Sequence, residues 1–289
     1  MRSGQEMIEL ILDTAKKDER IRAVIMQGSR ANPHAKRDIF QDFDVVYVVT
    51  DLSSFKENPE WIDQFGERMI MQLPDDMDDP PPGEANSYGY LMQFADGNRI
   101  DLAIYSRSKL REFKRDSLSV LLLDKDGTIE PFPVPDEKDY LPGPPTTKNF
   151  ADCCNEFWWV CPYVAKGLWR EEITYAKYMQ DQIVRQQLMK MLGWHIGIKT
   201  QFQSNPGKFG KYFKQYLEPG LWDMLVETYS DADYERAWNS LEKMCQLFRL
   251  TSQSVAEHFG FEYHHEEDKN VSAYLNHVRF LPKDAEEIY

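Results

Sequence analysis

VIMQGSRANPHAKRDIFQDFDVVYVVTD, residues 24–51, holds two apolar runs separated by a polar loop. The first run ends in Gly28-Ser29-Arg30, and the second opens on Asp42 and Asp44, one residue apart. In a strand, residues two apart project to the same face. Asp42 and Asp44 therefore point together, while Phe43, Val45 and Tyr47 point to the opposite, core side. Two carboxylates held that close raise each other's cost of ionisation. A divalent cation removes the cost. Magnesium prefers carboxylate oxygens and recruits substrate phosphates, so the pair reads as a metal clamp for a phosphorylated substrate.

A third carboxylate extends the pattern. In NRIDLAIY, Asp101 interrupts an apolar strand between Ile100 and Leu102. Three carboxylates on adjacent strands can hold two metal ions about 3.5–4 Å apart, stabilising both the attacking and the leaving oxygen in phosphoryl or nucleotidyl transfer. Gly28 lets the backbone turn sharply and approach an anion closely. Ser29 offers an N–H and a hydroxyl to phosphate oxygens, and Arg30 a charge-assisted contact. A helix starting at this turn would add partial positive charge.

Working outward, IELILDTAKKD (8–18) carries a helical period, and IRAVIMQ (21–27) and DVVYVVTD (44–51) read as strands. WIDQFGERMIMQ (61–72) reads as a helix leading to an edge strand. DDMDDPPPGEANS (75–87) reads as an exposed loop, with an acidic lip that attracts a cation at 75–79 as the alternative. YGYLMQF, ADGN and RIDLAIYS form a hairpin, because Asp96-Gly97 supplies the positive backbone angles of a tight turn. SKLREFKRD (108–116) reads as helix and SVLLLDKDG (119–127) as a last strand and turn. PFPVPDEKDYLPGPP (131–145) resists both helix and sheet. Beyond it the pattern is helical, near 149–169, 171–201, 207–216, 219–229 and 233–258, with Pro162 expected to kink or interrupt the first. The expected class is α+β. A mixed-sheet domain at 1–135 is followed by a Pro-rich linker at 136–148, a helical-bundle domain at 149–260 and an extended tail at 261–289.

The 289 residues suit two domains, and 42% apolar content supports a sizeable core. No apolar run reaches the ~20 residues of a membrane span. The first residues, with Glu6, Glu9 and Asp13, read as an amphipathic helix rather than a signal peptide. A cytoplasmic protein with no membrane partner is expected. Cys153, Cys154, Cys161 and Cys245 have neither zinc nor disulfide spacing and read as reduced, buried thiols. The formal net charge of −14 repels nucleic acid and attracts small polycations. His258, His264, His265 and His277 match no zinc spacing. Trp158 and Trp159 read as core, and His195 as a satisfied core histidine.

GSR followed by QDFDVVYVV and IDLAIY resembles the nucleotidyltransferase superfamily typified by DNA polymerase β. DERIRAVIMQGSRANP (18–33), FQDFDVVYVVTD (40–51), FKENPEWIDQFGERMIMQLPDDM (55–77) and DCCNEFWWVCPYVAKGLWREEI (152–173) resemble bacterial aminoglycoside 6-adenylyltransferases, also called streptomycin adenylyltransferases. The resemblance covers about residues 1–260. It implies an N-terminal nucleotidyltransferase domain, a C-terminal helical domain, and substrates bound between them. It also implies transfer of AMP from ATP to a streptomycin hydroxyl at position 6, with two Mg2+ ions and release of pyrophosphate. By the resemblance, Asp42, Asp44 and Asp101 hold the metal, with Asp101 alternatively the base. Gly28, Ser29 and Arg30 cradle the triphosphate. Asp152 or Glu156 pairs with the guanidinium groups of the antibiotic or takes the proton, and Lys166 neutralises the leaving pyrophosphate. Asp152, Glu156, Tyr163 and Lys166 fall on one helix face. The rivals are a nucleotidyltransferase with another acceptor (another aminoglycoside, a lincosamide or a protein hydroxyl) and a catalytically silent nucleotide-binding regulator. Oligomeric state is open.

Overall fold

A computed structural model describes residues 1–79 and 86–289. The chain divides into two compact units, Met1–Asp139 and Tyr140–Tyr289.

The first unit opens with helix α1 (Gly4–Lys17), capped by a reciprocal pair in which Ser3 Oγ accepts from Glu6 N–H and the Glu6 carboxylate accepts from Ser3 N–H. Strand β1 (Ile21–Gln27), the single turn α2 (Gly28–Ala31) and β2 (Phe43–Val49) follow. After α3 (Ser53–Lys56) come β3 (Arg68–Gln72), β4 (Ser87–Phe94), β5 (Arg99–Ser106) and β6 (Ser119–Asp124). Among the described residues these strands form one sheet in the order β3-β4-β5-β2-β1-β6. The β2–β5 pair is parallel and the others are antiparallel, so the sheet is mixed. Gly97, with φ +89°, turns the β4–β5 hairpin.

Alternation along the strands gives the sheet two faces. Phe43, Val45, Tyr47, Tyr90, Met92 and Ile100 pack with Met7 and Ile11 of α1. The buried Tyr47 hydroxyl donates to Ile11 O at 2.6 Å, and that of Tyr90 to Phe55 O at 2.6 Å, so neither polar tip is stranded in the core. The opposite face buries Ala23, Ile25, Val46 and Val48 under Leu110, Phe113, Ile129 and Phe132. Two segments read as helices are shorter: 59–65 and 107–112 are 3-10 turns, the first ending at Gly66 before edge strand β3. Of the loop at 75–87, residues 80–85 lie outside the described residues.

The second unit is built on α4 (Thr147–Trp169). Of the two outcomes expected at Pro162, a kink or an interruption, the interruption does not occur: the helix continues through it. One N–H is lost there, but Phe157, Cys161, Val164 and Leu168 on either side are buried and hold the helix to its neighbours. Phe157 stacks on Phe248 with ring centroids 3.7 Å apart. Next come α5 (Ile173–Tyr178), a π-helical turn at Met179–Val184, α6 (Arg185–Lys199), α7 (Phe213–Tyr216), α8 (Pro219–Glu227) and α9 (Tyr234–Phe259).

The expected extended tail is instead helix α10 (His265–Phe280), and it packs on α4 and α9. Its buried stripe is Asp268, Leu275 and Val278. The carboxylate of Asp268, only 4% exposed, accepts from Arg249 Nε at 2.6 Å, Tyr263 Oη at 2.9 Å and Ser272 Oγ at 3.1 Å. A charged residue in the buried stripe hides the helical period, and its partner lies in a different helix.

Candidate active site

The polar end of the sheet is assembled by register. The last residue of β1, Gln27, lies opposite Asp44 near the start of β2, and Asp44 lies beside Asp101 in β5. Leu91 of β4 is opposite Asp101, and Gln72 of β3 is opposite Leu91. Ser119–Gln27–Asp44–Asp101–Leu91–Gln72 therefore form one row across all six strands. Phe43, Val45 and Tyr47 are core on the other face, as their spacing requires.

Gly28 follows Gln27 with φ +68° and donates its N–H to Leu118 O at 3.0 Å. A Cβ on Gly28 would lie 3.1 Å from Asp44 Cγ and overlap Oδ2. The absence of a side chain thus lets the turn backbone lie directly against the carboxylate. Ser29 continues the turn, its carbonyl accepting from Gln41 Nε2 at 3.3 Å. Arg30, read as a phosphate contact, spends Nε and Nη2 on the carbonyls of Asp42 (2.9 Å) and Gln41 (2.7 Å). Its guanidinium also lies 3.5 Å over the Phe43 ring. In this arrangement Arg30 fixes the loop that delivers Asp42.

Burial pushes the Asp44 carboxyl up to about 6, reinforced by the charges of Asp101 and Asp42. Burial also raises Asp42, against the pull of Arg99. Sequence reasoning missed Arg99. Its Nε and Nη2 grip the Asp101 carboxylate at 2.7 and 2.9 Å, and Nε lies 3.8 Å from Asp42. The signal was present, since Arg99 stands two residues before Asp101 in a strand and must share its face.

Among the described residues no three His, Cys, Asp or Glu groups converge as a ready-made metal site. The donor set nonetheless suits a hard cation. All three side chains are carboxylates, Asp44 is charged only at a cost, and the Arg99 guanidinium already stands beside Asp101 as a substitute positive charge.

Asp152, Glu156 and Lys166 belong to the second unit, on one face of α4. Asp152 and Glu156 are exposed, and Asp152 pairs with Lys148 at 2.8 Å. Lys166 Nζ lies 4.5 Å over the Tyr163 ring. The two tryptophans divide: Trp158 is core at 2% exposure, whereas Trp159 is 63% exposed and lines a groove with Tyr163, Lys166 and Glu267. Helical geometry explains the difference, since adjacent residues are about 100° apart around the axis. His195 is buried, but neither ring nitrogen has a hydrogen-bond partner among the described residues, so it is not the satisfied core histidine expected. The four cysteines are free and buried.

The family model described as streptomycin adenylyltransferase matches residues 1–278. An aminoglycoside 6-adenylyltransferase of Bacillus subtilis (strain 168) is 41% identical over 280 residues, 96% of this chain and 98% of the relative. One of Campylobacter jejuni is 44% identical over 264 residues, 91% of each chain. A crystal structure of an aminoglycoside 6-adenyltransferase from Bacillus subtilis aligns over 97% of this chain and 100% of its own, at 37% identity and a TM-score of 0.48.

Proposed function

The chain belongs to the streptomycin adenylyltransferase family, and from that premise we propose that it transfers AMP from ATP to a hydroxyl of streptomycin, at position 6, with release of pyrophosphate. The observation that carries the reading is the side-by-side register of Asp44 and Asp101 with Gly28 lying against Asp44. A phosphate-approaching turn and two carboxylates meet at one point, as nucleotidyl transfer requires.

Asp42, Asp44 and Asp101 would hold two Mg2+ ions, which when bound supply positive charge to the reacting phosphate. Gly28 and Ser29 turn their backbone toward the triphosphate. Arg30 holds the Asp42 loop in place. Asp152 and Glu156 present carboxylates to the guanidinium groups of the acceptor, and Lys166 offers its ammonium to the leaving pyrophosphate. The net charge of −14 favours a cationic acceptor. Among the described residues no helix is long and apolar enough to cross a membrane; a cytoplasmic location is part of the same proposal.

The test is pyrophosphate release with ATP, Mg2+ and a panel of aminoglycosides, with mass analysis of the product. Streptomycin gaining one AMP is the expected result. No turnover with streptomycin at any concentration sinks the substrate assignment. Full activity of Asp42→Asn or Asp44→Asn sinks the metal-clamp mechanism. Glu156→Gln tests the proton acceptor: loss of a base lowers kcat, whereas loss of a group that only pairs with the acceptor raises the acceptor KM.

A further inference from the structure

The cross-strand row has a direction. On one side of Asp44 lies β1, whose end turns at Gly28 against the carboxylate. Beyond it, Gln27 Nε2 donates to Ser119 Oγ at 3.2 Å, tying β1 to β6. On the other side lie Asp101, then Leu91, then Gln72. In-line displacement places the attacking and leaving oxygens on opposite sides of the phosphorus. With the pyrophosphate at the β1 turn, the acceptor hydroxyl must arrive from the β4–β3 side.

We infer that the β3–β4 face beside Asp101 is the shelf that receives the cationic acceptor, with Leu91 and Gln72 setting its fit. The inference rests on the adenylylation reading and deepens it. Three further features mark the place. Gln72 is exposed, and Ile70, on the same face of β3, is 67% exposed. Ile70, Gln72, Leu91, Gln93 and Arg99 line a depression there. Past the end of β3, Asp75 accepts the N–H of Gly89 at 2.7 Å, and its Oδ2 lies 3.4 Å from where a Gly89 Cβ would stand. Gly89 and Leu91, two apart in β4, face the same way, so a carboxylate marks the far corner of the shelf. Two strand spacings, roughly 10 Å, separate Gln72 from Asp101, enough for one cationic ring between them.

In the step so arranged, the acceptor oxygen bonds to the α-phosphorus while the bond from that phosphorus to the bridging oxygen breaks. Pyrophosphate leaves with the bonding pair, and the hydroxyl proton passes to a carboxylate. Leu91 contributes contact and Gln72 a neutral edge. Neither touches the triphosphate, so both act on acceptor affinity alone.

Steady-state kinetics on Gln72→Lys, Gln72→Glu and Leu91→Trp separate this from other roles. Gln72→Lys raises the KM for streptomycin about fivefold through like-charge repulsion, Gln72→Glu leaves it equal or lower, and the KM for ATP stays within about twofold in both. Leu91→Trp raises the streptomycin KM in the same selective way. If Leu91→Trp does not fold, the exposed Gln72 pair decides alone. A streptomycin KM unchanged across the Gln72 pair, or an ATP KM that moves with it, overturns the shelf. A wild-type enzyme that turns over no aminoglycoside defeats the functional reading itself, and the shelf with it.

Discussion

Gly28 and Asp44 occupy each other's space: a methyl group on the glycine would overlap the aspartate's Oδ2. The glycine also sits at φ +68°, where L side chains are strained. In Gly28→Ala either the turn opens or the carboxylate rotates away from Asp101, and both displace the reacting geometry. A misplacement of about 1 Å costs on the order of 100-fold in rate. Gly28→Ala is therefore expected to lose about 100-fold in kcat/KM while losing only ~1 kcal/mol of stability from the backbone strain. Turnover and urea unfolding measured on one preparation check this. Activity within a few-fold of wild type would show that the turn and the carboxylate act independently.

Much of this relationship was legible beforehand. The period of two put Asp44 on the face opposite Phe43 and Val45, and the hairpin reading put Asp101 within a strand. Pairing order was not legible, because register is a long-range property set by which faces bury together. The row from Asp44 through Asp101 to Leu91 and Gln72 emerges only once β2 and β5 are seen to run parallel. Arg99 does not stand out in the sequence, because a single arginine two residues from an acid is also common on solvated strand faces. α10 was missed because Asp268 breaks its apolar stripe, and the Arg249 that neutralises it lies in another helix. Trp159 was misread because composition around α4 says how apolar the helix is, not which way each side points.

Arg99 holds Asp101 with two hydrogen bonds and lies near Asp42. Its charge relieves the repulsion among the carboxylates, and under the metal-clamp proposal it would compete with a divalent ion for Asp101. Replacing it by methionine keeps the aliphatic bulk and removes the charge. Arg99→Met is expected to lower the stability of metal-free protein by about 1 kcal/mol. Added Mg2+ then raises its melting temperature by more than it raises that of wild type. Equal metal-induced gains in the two proteins would show that Arg99 does not share a site with the cation.

His195 gives a pH signature away from the active site. Burial, with Lys199 adding to it, pulls its imidazole down from 6.5 to about 4. The folded state thus binds the proton less readily than the unfolded chain. Stability from this group is complete above pH 6.5 and falls as pH drops toward 4, by about 3 kcal/mol in full. Glu218, 3.5 Å from Nε2, is paired with Lys199 and does not reverse the sign. His195→Leu removes two ring nitrogens that have no hydrogen-bond partner among the described residues and should unfold at higher urea at pH 5, with the gain shrinking toward pH 7. A gain independent of pH would assign the effect to packing rather than protonation.

The second unit depends on the ion pair that brings α10 in. Asp268 is held below the usual carboxylate range: burial pushes it up, but the hydrogen bonds from Arg249 and Tyr263 and the guanidinium charge outweigh it. Asp268→Ala strands the Arg249 guanidinium, which is one-third exposed, together with the Tyr263 hydroxyl. Breaking a buried pair from one side costs about 3–5 kcal/mol; partial exposure of Arg249 reduces this to roughly 2–3 kcal/mol. The double variant Arg249→Met, Asp268→Leu removes both charges and should recover most of that loss. α10 also supplies Glu267 to the groove beside Trp159 and Lys166, so the single variant should weaken turnover as well as stability. Urea unfolding of the single and double variants decides between the two accounts. If the double variant is no more stable than Asp268→Ala, what holds α10 is the specific hydrogen-bond geometry rather than the avoidance of a stranded charge.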